Sequence, residues 1–342
     1  MSFEVLEDDK PLVNQAFEGT FRGIRMRQTE VARRHIVRPG NSNCNAHDCY
    51  RLVCLQLLLA LITVLTASSV RAQVDFAGTW GQKFQEDIAE RGDAAIGDYV
   101  SLPINDATRM RADAWDAEQW TMVEHLCHAH PIDYAPRGPS QMRIWSDIDP
   151  MTQGVVAWHT ILSYMLPQRT IYMDGRPHPP EWAAHTWQGF STGEWVGDML
   201  KVTTTHLKEG YFRRNGLARS EKATITEYFF LDQNNLTLVA IITDPVYLTE
   251  PLVLTTDWVR DVGKQLSPNF CISTVEIDHP KGWVAYHLPG HNPWLHEYSQ
   301  KTGIPYEAIR GGAETMYPEY QKKLATMPVP PKNQSESSET SK

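Results

Sequence analysis

The pairing in this chain best suited to chemistry is an imidazole with a carboxylate on neighbouring predicted strands. Leu200, Val202, Thr204 and His206 alternate on one face of a strand, and Ile225, Glu227 and Phe229 share a face of the next. Either Glu227 points inward or Thr224, Thr226, Tyr228 and Phe230 do. An inward carboxylate needs a cation beside it, and a His or Arg neighbour would supply one. A His206–Glu227 pair of this kind moves protons, with Arg176 or Arg213 holding a substrate anion or an oxyanion. The blander reading of the same residues is a structural salt bridge or a solvated outer face.

Three further clusters carry polar chemistry. In the stretch 169–180 the pair Asp174-Gly175 makes a tight turn after a strand, and the prolines stiffen its exit. Arg176 and His178 are thereby held in a rigid loop beside Tyr172. In 185–198, His185, Trp187 and Trp195 alternate with three glycines, a pattern of a twisted hairpin with a bulge. Gly189, Ser191 and Gly193 match the esterase elbow by letter. An elbow needs a helix after its serine, however, and residues 194–206 read as strand, so Ser191 is not a nucleophile candidate. In 124–130, His128 and His130 project to one face of an extended segment, the separation of two zinc-binding imidazoles. No further ligand accompanies them, and a surface or hydrogen-bonding role is the simpler reading. Arg213 and Arg214, next to Asn215-Gly216, complete the set of substrate-binding candidates with His185, Trp187, Trp195 and Tyr172. No organic cofactor is implied.

Short strands position these residues. Strand signals recur at 141–145, 155–164, 169–173, 195–206, 223–230, 236–243 and 252–257, separated by Asp-Pro, Asp-Gly, Asn-Gly and Asn-Asn turns. Without long intervening helices this predicts a mainly β, antiparallel meander, and a closed barrel is the economical way to hide its edges. Residues 106–124, free of Gly and Pro, predict a helix that could act as a lid. Residues 293–302 and 306–324 predict two more, joined by Gly303-Ile304-Pro305 and packed on the barrel.

Residues 52–70 form an uncharged apolar run preceded by arginines and followed by Val70-Arg71-Ala72, which reads as a secretory signal cleaved after Ala72. The division is then a preface (1–50), the signal (51–72), a barrel (73–288), a helical extension (289–327) and a disordered tail (328–342). The product is exported, periplasmic or extracellular, with no stable membrane anchor after cleavage. Cleavage removes Cys44, Cys49 and Cys54. Of the remaining pair, Cys127 and Cys271, one disulfide is possible in an oxidising compartment, and two separate thiols are the alternative. A net charge of −9 and the lack of any basic block exclude a nucleic-acid surface. The excess of 11 Trp and 13 Tyr reads as core packing first and as a ring-lined ligand cavity second.

Several stretches together resemble an uncharacterised family of exported bacterial proteins with a calycin- or lipocalin-like barrel. They are Phe76-x-Gly78-Thr79-Trp80, Arg169 through Pro179, His185-Thr186-Trp187-x-Gly189-x-Ser191, Thr203 through Lys208, Arg213-Arg214-Asn215-Gly216 and Asp244-Pro245-x-Tyr247-Leu248-Thr249-Glu250-Pro251. The resemblance spans residues 75–320 and implies an antiparallel calycin-like barrel. It covers both Cys127 and Cys271, which strengthens the disulfide expectation. The family carries Arg in place of His128, which counts against a two-histidine metal site. It brings no established reaction with it. Two functions follow as expectations. One is an exported small-molecule enzyme using cofactor-independent acid/base chemistry, of hydrolase, lactonase, lyase or isomerase type. The other is a non-enzymatic lipocalin-like carrier of a small apolar or aromatic ligand.

Overall fold

The computed structural model describes residues 54–56, 74–83, 94–121, 127–138, 140–263, 265–267 and 279–330. The chain divides into two compact units, Met1–Arg71 and Ala72–Lys342. Of the first, only a helical turn at residues 54–56 is described. The expected signal cleavage site, Cys44, Cys49 and Cys271 and the tail from 331 onward lie outside the described residues. Among the described residues no helix is long and apolar enough to cross a membrane.

The second unit is built on eleven strands: β1 (Gly78–Gln82), β2 (Met142–Ile148), β3 (Val155–Leu162), β4 (Gln168–Tyr172), β5 (Phe190–Val196), β6 (Met199–Thr205), β7 (Gly210–Tyr211), β8 (Ala218–Arg219), β9 (Thr224–Asp232), β10 (Asn235–Thr243) and β11 (Leu252–Arg260). Nine of them close a barrel in the order β1-β11-β10-β9-β6-β5-β4-β3-β2, while β7 and β8 pair apart. The expected all-antiparallel meander is corrected at one seam, where β4 and β5 run parallel, Ile171 opposite Ser191. Strand directions can alternate all the way round a closed ring only if the count is even, so nine strands leave one like-directed pair. A parallel pair needs a crossover from one end of the barrel to the other. Residues 173–189 make it without helix or strand, apart from a single bridge of Thr186 to Leu207.

A second correction concerns 195–206, expected as one strand. Gly197, at φ 63, and Asp198 turn the chain between β5 and β6, and Glu194 lies opposite Lys201. Two-residue hairpins favour left-handed residues because their twist matches the strands. The serine of the elbow-like triplet therefore lies inside a hairpin strand, where its Oγ pairs with Thr204 Oγ1 at 2.8 Å.

Alternation sends Trp158, Ile171, Val202, Phe229, Leu238 and Trp258 inward into one apolar cluster at the lower end of the barrel. A second cluster of Tyr99, Leu102, Ile104, Leu207, Phe212, Ile225 and Ile242 covers the upper end. The helix expected over 106–124 stops early. Helix α1 (Asp106–Asp113), capped by Asn105 Oδ1 accepting from Thr108 N, gives way to a 3-10 turn at Ala117–Thr121. Between them Trp115 packs edge-on against Tyr211 at 4.6 Å and bridges to Tyr286. The expected 306–324 helix is also divided, into α3 (Tyr306–Ile309), a 3-10 turn at Ala313–Met316 and α4 (Pro318–Leu324). Helix α2 (Glu297–Thr302) ends on left-handed Gly303 at φ 75.

Two of the motifs singled out in the sequence, 213–216 and 244–251, hold the cap together. Asp244 accepts from Ser220 N, Ser220 Oγ, Val246 N and Tyr247 N, which fixes the turn after β10. Asn215, fully buried, donates to the carbonyls of Ala95 and Asp98. Gly216 sits at φ 87, where an added Cβ would meet Trp115 Cβ at 2.4 Å. Gly175, at φ 72, has open space around the same position. Gly216→Ala is therefore expected to destabilise by more than ~2 kcal/mol, and Gly175→Ala by only ~1 kcal/mol, the cost of the left-handed backbone alone. Urea midpoints of the two variants check the difference.

Candidate functional site

The barrel interior holds one of the two groups expected to react together, and the other stands on the outside. Glu227, on β9, points inward and is 1% exposed. Its cation is Arg169 of β4, 5% exposed, whose two terminal nitrogens reach Glu227 Oε2 at 2.5 Å and Oε1 at 3.1 Å. A forked pair of this kind takes up both carboxylate oxygens. The guanidinium also lies 5.7 Å from the centre of the Phe229 ring.

His206 does not continue the inward row of Leu200, Val202 and Thr204, because its backbone turns left-handed at φ 57. It packs against the crossover instead. Its Nε2 lies 2.9 Å from Pro180 O, and its Nδ1 lies 2.7 Å from Thr205 Oγ1. His178, in the crossover, bridges Thr205 Oγ1 at 2.7 Å and Thr192 Oγ1 at 2.8 Å. A carbonyl only accepts, so in the neutral rings the direction of the whole chain follows. His206 Nε2–H donates to Pro180 O, Thr205 O–H donates to His206 Nδ1, His178 Nδ1–H donates to Thr205, and Thr192 O–H donates to His178 Nε2. Burial and the neighbouring His206 hold the His178 pKa below its ordinary value. His185 lies 5.2 Å from the His206 ring.

The remaining candidates fall into two outer groups. Arg176 is engaged by Asp174, Nη2 to Oδ2 at 2.5 Å, and lies 3.8 Å over the Tyr172 ring, which stacks on Phe190. Trp187 meets the His128 ring at 5.5 Å and the Lys208 ammonium at 5.3 Å. His130 is packed between Tyr134 at 5.0 Å and Tyr164 at 5.3 Å, and Gln188 Nε2 donates to its carbonyl. Burial, aided by the charge of Arg214, pushes the His130 pKa down to about 4. His128 and His130 thus pack on different rings, and among the described residues no three His, Cys, Asp or Glu side chains converge as a metal site. Arg213 is half-buried and Arg214 exposed, next to each other just ahead of Asn215.

Trp195 is inward and belongs with the interior, as do residues that spacing alone did not single out. Phe76, in the irregular segment ahead of β1, stacks on Trp195 with centroids 5.9 Å apart and planes 7° apart. It meets Trp158 edge-on at 5.7 Å and Phe229 at 6.4 Å. The indole Nε1 atoms of Trp158, Trp195 and Trp258 and the Nε of Arg169 are buried with no hydrogen-bond partner among the described residues. Leaving a buried donor unmade costs about 1–3 kcal/mol. A cleft of about 280 Å³ outside the barrel is lined by Asp106, Arg109, Asp113 and Arg310 among others. Its charges are satisfied internally, Arg310 with Asp113 and Arg109 with Asp106, so it reads as a joint between the cap and the C-terminal helices.

No protein-family model and no curated protein matches this chain. Among solved structures, the crystal structure of wild-type fluorescent protein UnaG is similar at 10% identity, covering 54% of this chain and 97% of that chain, with a TM-score of 0.25.

Proposed function

We propose that this chain is an exported, calycin-like barrel that binds a small apolar or aromatic molecule without transforming it. The observation that carries the proposal is the ring-lined interior of Phe76, Trp158, Trp195, Phe229 and Trp258, with the Arg169–Glu227 pair beside it. Rings with a few fixed polar groups are the usual lining of a small-molecule site. The acid/base reading loses its support, since Glu227 is taken by Arg169, His206 by Pro180 and Thr205, and Arg176 by Asp174. Export is supported by the apolar run at 52–70 and by a compact unit that begins at Ala72. A Cys127–Cys271 bridge belongs to the same reading. It is supported by the cysteine count of the exported chain and by Cys127 not being a free thiol.

Native mass spectrometry of the protein recovered from its own host tests all of this together. The expected result is a chain starting near Gln73, two hydrogens lighter than the reduced form, carrying a noncovalent small molecule that is released chemically unchanged. A released molecule that the protein converts on re-addition would replace the binding reading with an enzymatic one.

A further inference from the structure

We infer that the ligand of the barrel is a flat, ring-bearing molecule that carries hydrogen-bond acceptors, such as an aromatic ketone or carboxylate, and that it takes the place occupied by Phe76. The inference deepens the binding proposal and rests on it. Phe76 sits in the barrel as a guest would. One face stacks parallel on Trp195, while Trp158 and Phe229 close around it edge-on. The box accepts a flat ring, and the chain supplies one from its own irregular segment at 74–77.

That guest leaves the box chemically unmatched. Among the described residues, the fully buried side-chain groups inside without a partner are donors: three indole N–H groups and the Arg169 Nε–H. The inward carboxylate is already used, Glu227 by Arg169, Ser191 and Thr204 pair with each other, and the buried hydroxyls of Thr160 and Thr256 can turn either to donate or to accept. A phenyl ring offers no acceptor, whereas a ketone or carboxylate on an aromatic ring offers both the ring and the lone pairs. A hydrocarbon would do no better than Phe76, because it leaves the same four N–H groups unmatched.

The route also lies at this end. The upper end is covered by the second apolar cluster, whereas 74–77 packs on the lower one as an irregular segment that pairs with no strand. Among the described residues its tethers are few: Trp80 Nε1–H to Phe76 O at 3.0 Å, Arg260 Nη1 to Ala77 O at 2.9 Å and Nη2 to Asp75 O at 3.5 Å, and the local turn of Asp75 with Ala77 N. The neighbouring Val74 and Ala77 are half-buried. Displacing this segment exchanges one ring for another and leaves the barrel ladder intact.

Two probes of matched shape, 2-acetylnaphthalene and 2-ethylnaphthalene, test the inference by quenching of tryptophan fluorescence in wild type, Phe76→Ala and Phe76→Leu. The leucine variant serves if the alanine variant does not fold. The ketone is expected to bind the Phe76 variants roughly tenfold more tightly than it binds wild type, and roughly tenfold more tightly than the ethyl compound does. Adding Trp158→Phe or Trp258→Phe, which keeps a ring and removes its N–H, is expected to shrink the difference between the probes. Equal binding of the two probes overturns the acceptor requirement and leaves the binding function standing. Ketone affinity unchanged by loss of Phe76 overturns the displacement. Failure of both probes with every variant, together with no ligand in native mass spectrometry, overturns the binding function itself.

Discussion

Arg169→Met is expected to lower the unfolding free energy by ~3–5 kcal/mol, because it strands the Glu227 carboxylate inside the barrel without a cation. Glu227→Leu strands the guanidinium in the same way and should cost a similar amount. The double variant replaces the ion pair with apolar side chains of comparable size and should recover most of the loss, since the pair on its own contributes little net stability once its desolvation is counted. Urea unfolding of the four proteins gives the coupling between the two positions directly. If the double variant lost the sum of the two single losses, the two groups would not be acting as the pair seen at 2.5 and 3.1 Å.

Acid is expected to weaken the protein through His130. The unfolded chain takes up a proton at the ordinary imidazole pKa of 6.5, while the folded protein resists until about 4. Between these values the unfolded state binds more protons, so stability is full above about pH 6.5 and falls as the pH drops toward 4. The contribution integrates to ~3 kcal/mol. His130→Phe keeps a ring between Tyr134 and Tyr164 and removes the titration. Urea unfolding at pH 7 and pH 4.5 should show a smaller acid loss in the variant than in wild type, the residue coming from groups such as His178, whose pKa is also held low. An identical acid loss in both proteins would place the titrating group elsewhere.

The barrel was legible because period-two alternation is a local signal, and strands at 155–162, 224–232 and 235–243 lie close to where the pattern predicts them. The parallel seam was not, because a strand's direction relative to its neighbour depends on how many strands close the ring. The β5–β6 turn was missed because Val196 and Met199 flank Gly197-Asp198 and read as one continuous strand. For the site, alternation left open which face of β9 turns inward and required a cation only if Glu227 did; the partner is Arg169 at 58 residues' separation, which no spacing rule connects. His206 was placed on the face of Leu200, Val202 and Thr204 by the same alternation, and its left-handed backbone at φ 57 takes it off that face. Phe76 was noted only as part of an opening motif. Its role as a ring among rings depends on Trp158, Trp195 and Phe229 meeting it from three other strands.

The first strand of the ring is held by the last: Trp80 of β1 lies opposite Arg260 of β11, and Gly78 opposite Ile144 of β2. A chain made from its N-terminus therefore carries β1 for some 180 residues before its second neighbour exists, and contacts of such long range are slow to form. Until Arg260 emerges, the growing chain presents unpaired strand edges at β1 and at the advancing front, the kind of surface on which nascent chains aggregate. Folding of this protein is thus a race decided at the point of ring closure, and a chain truncated before β11 is expected to expose both of its edges rather than to form a smaller barrel.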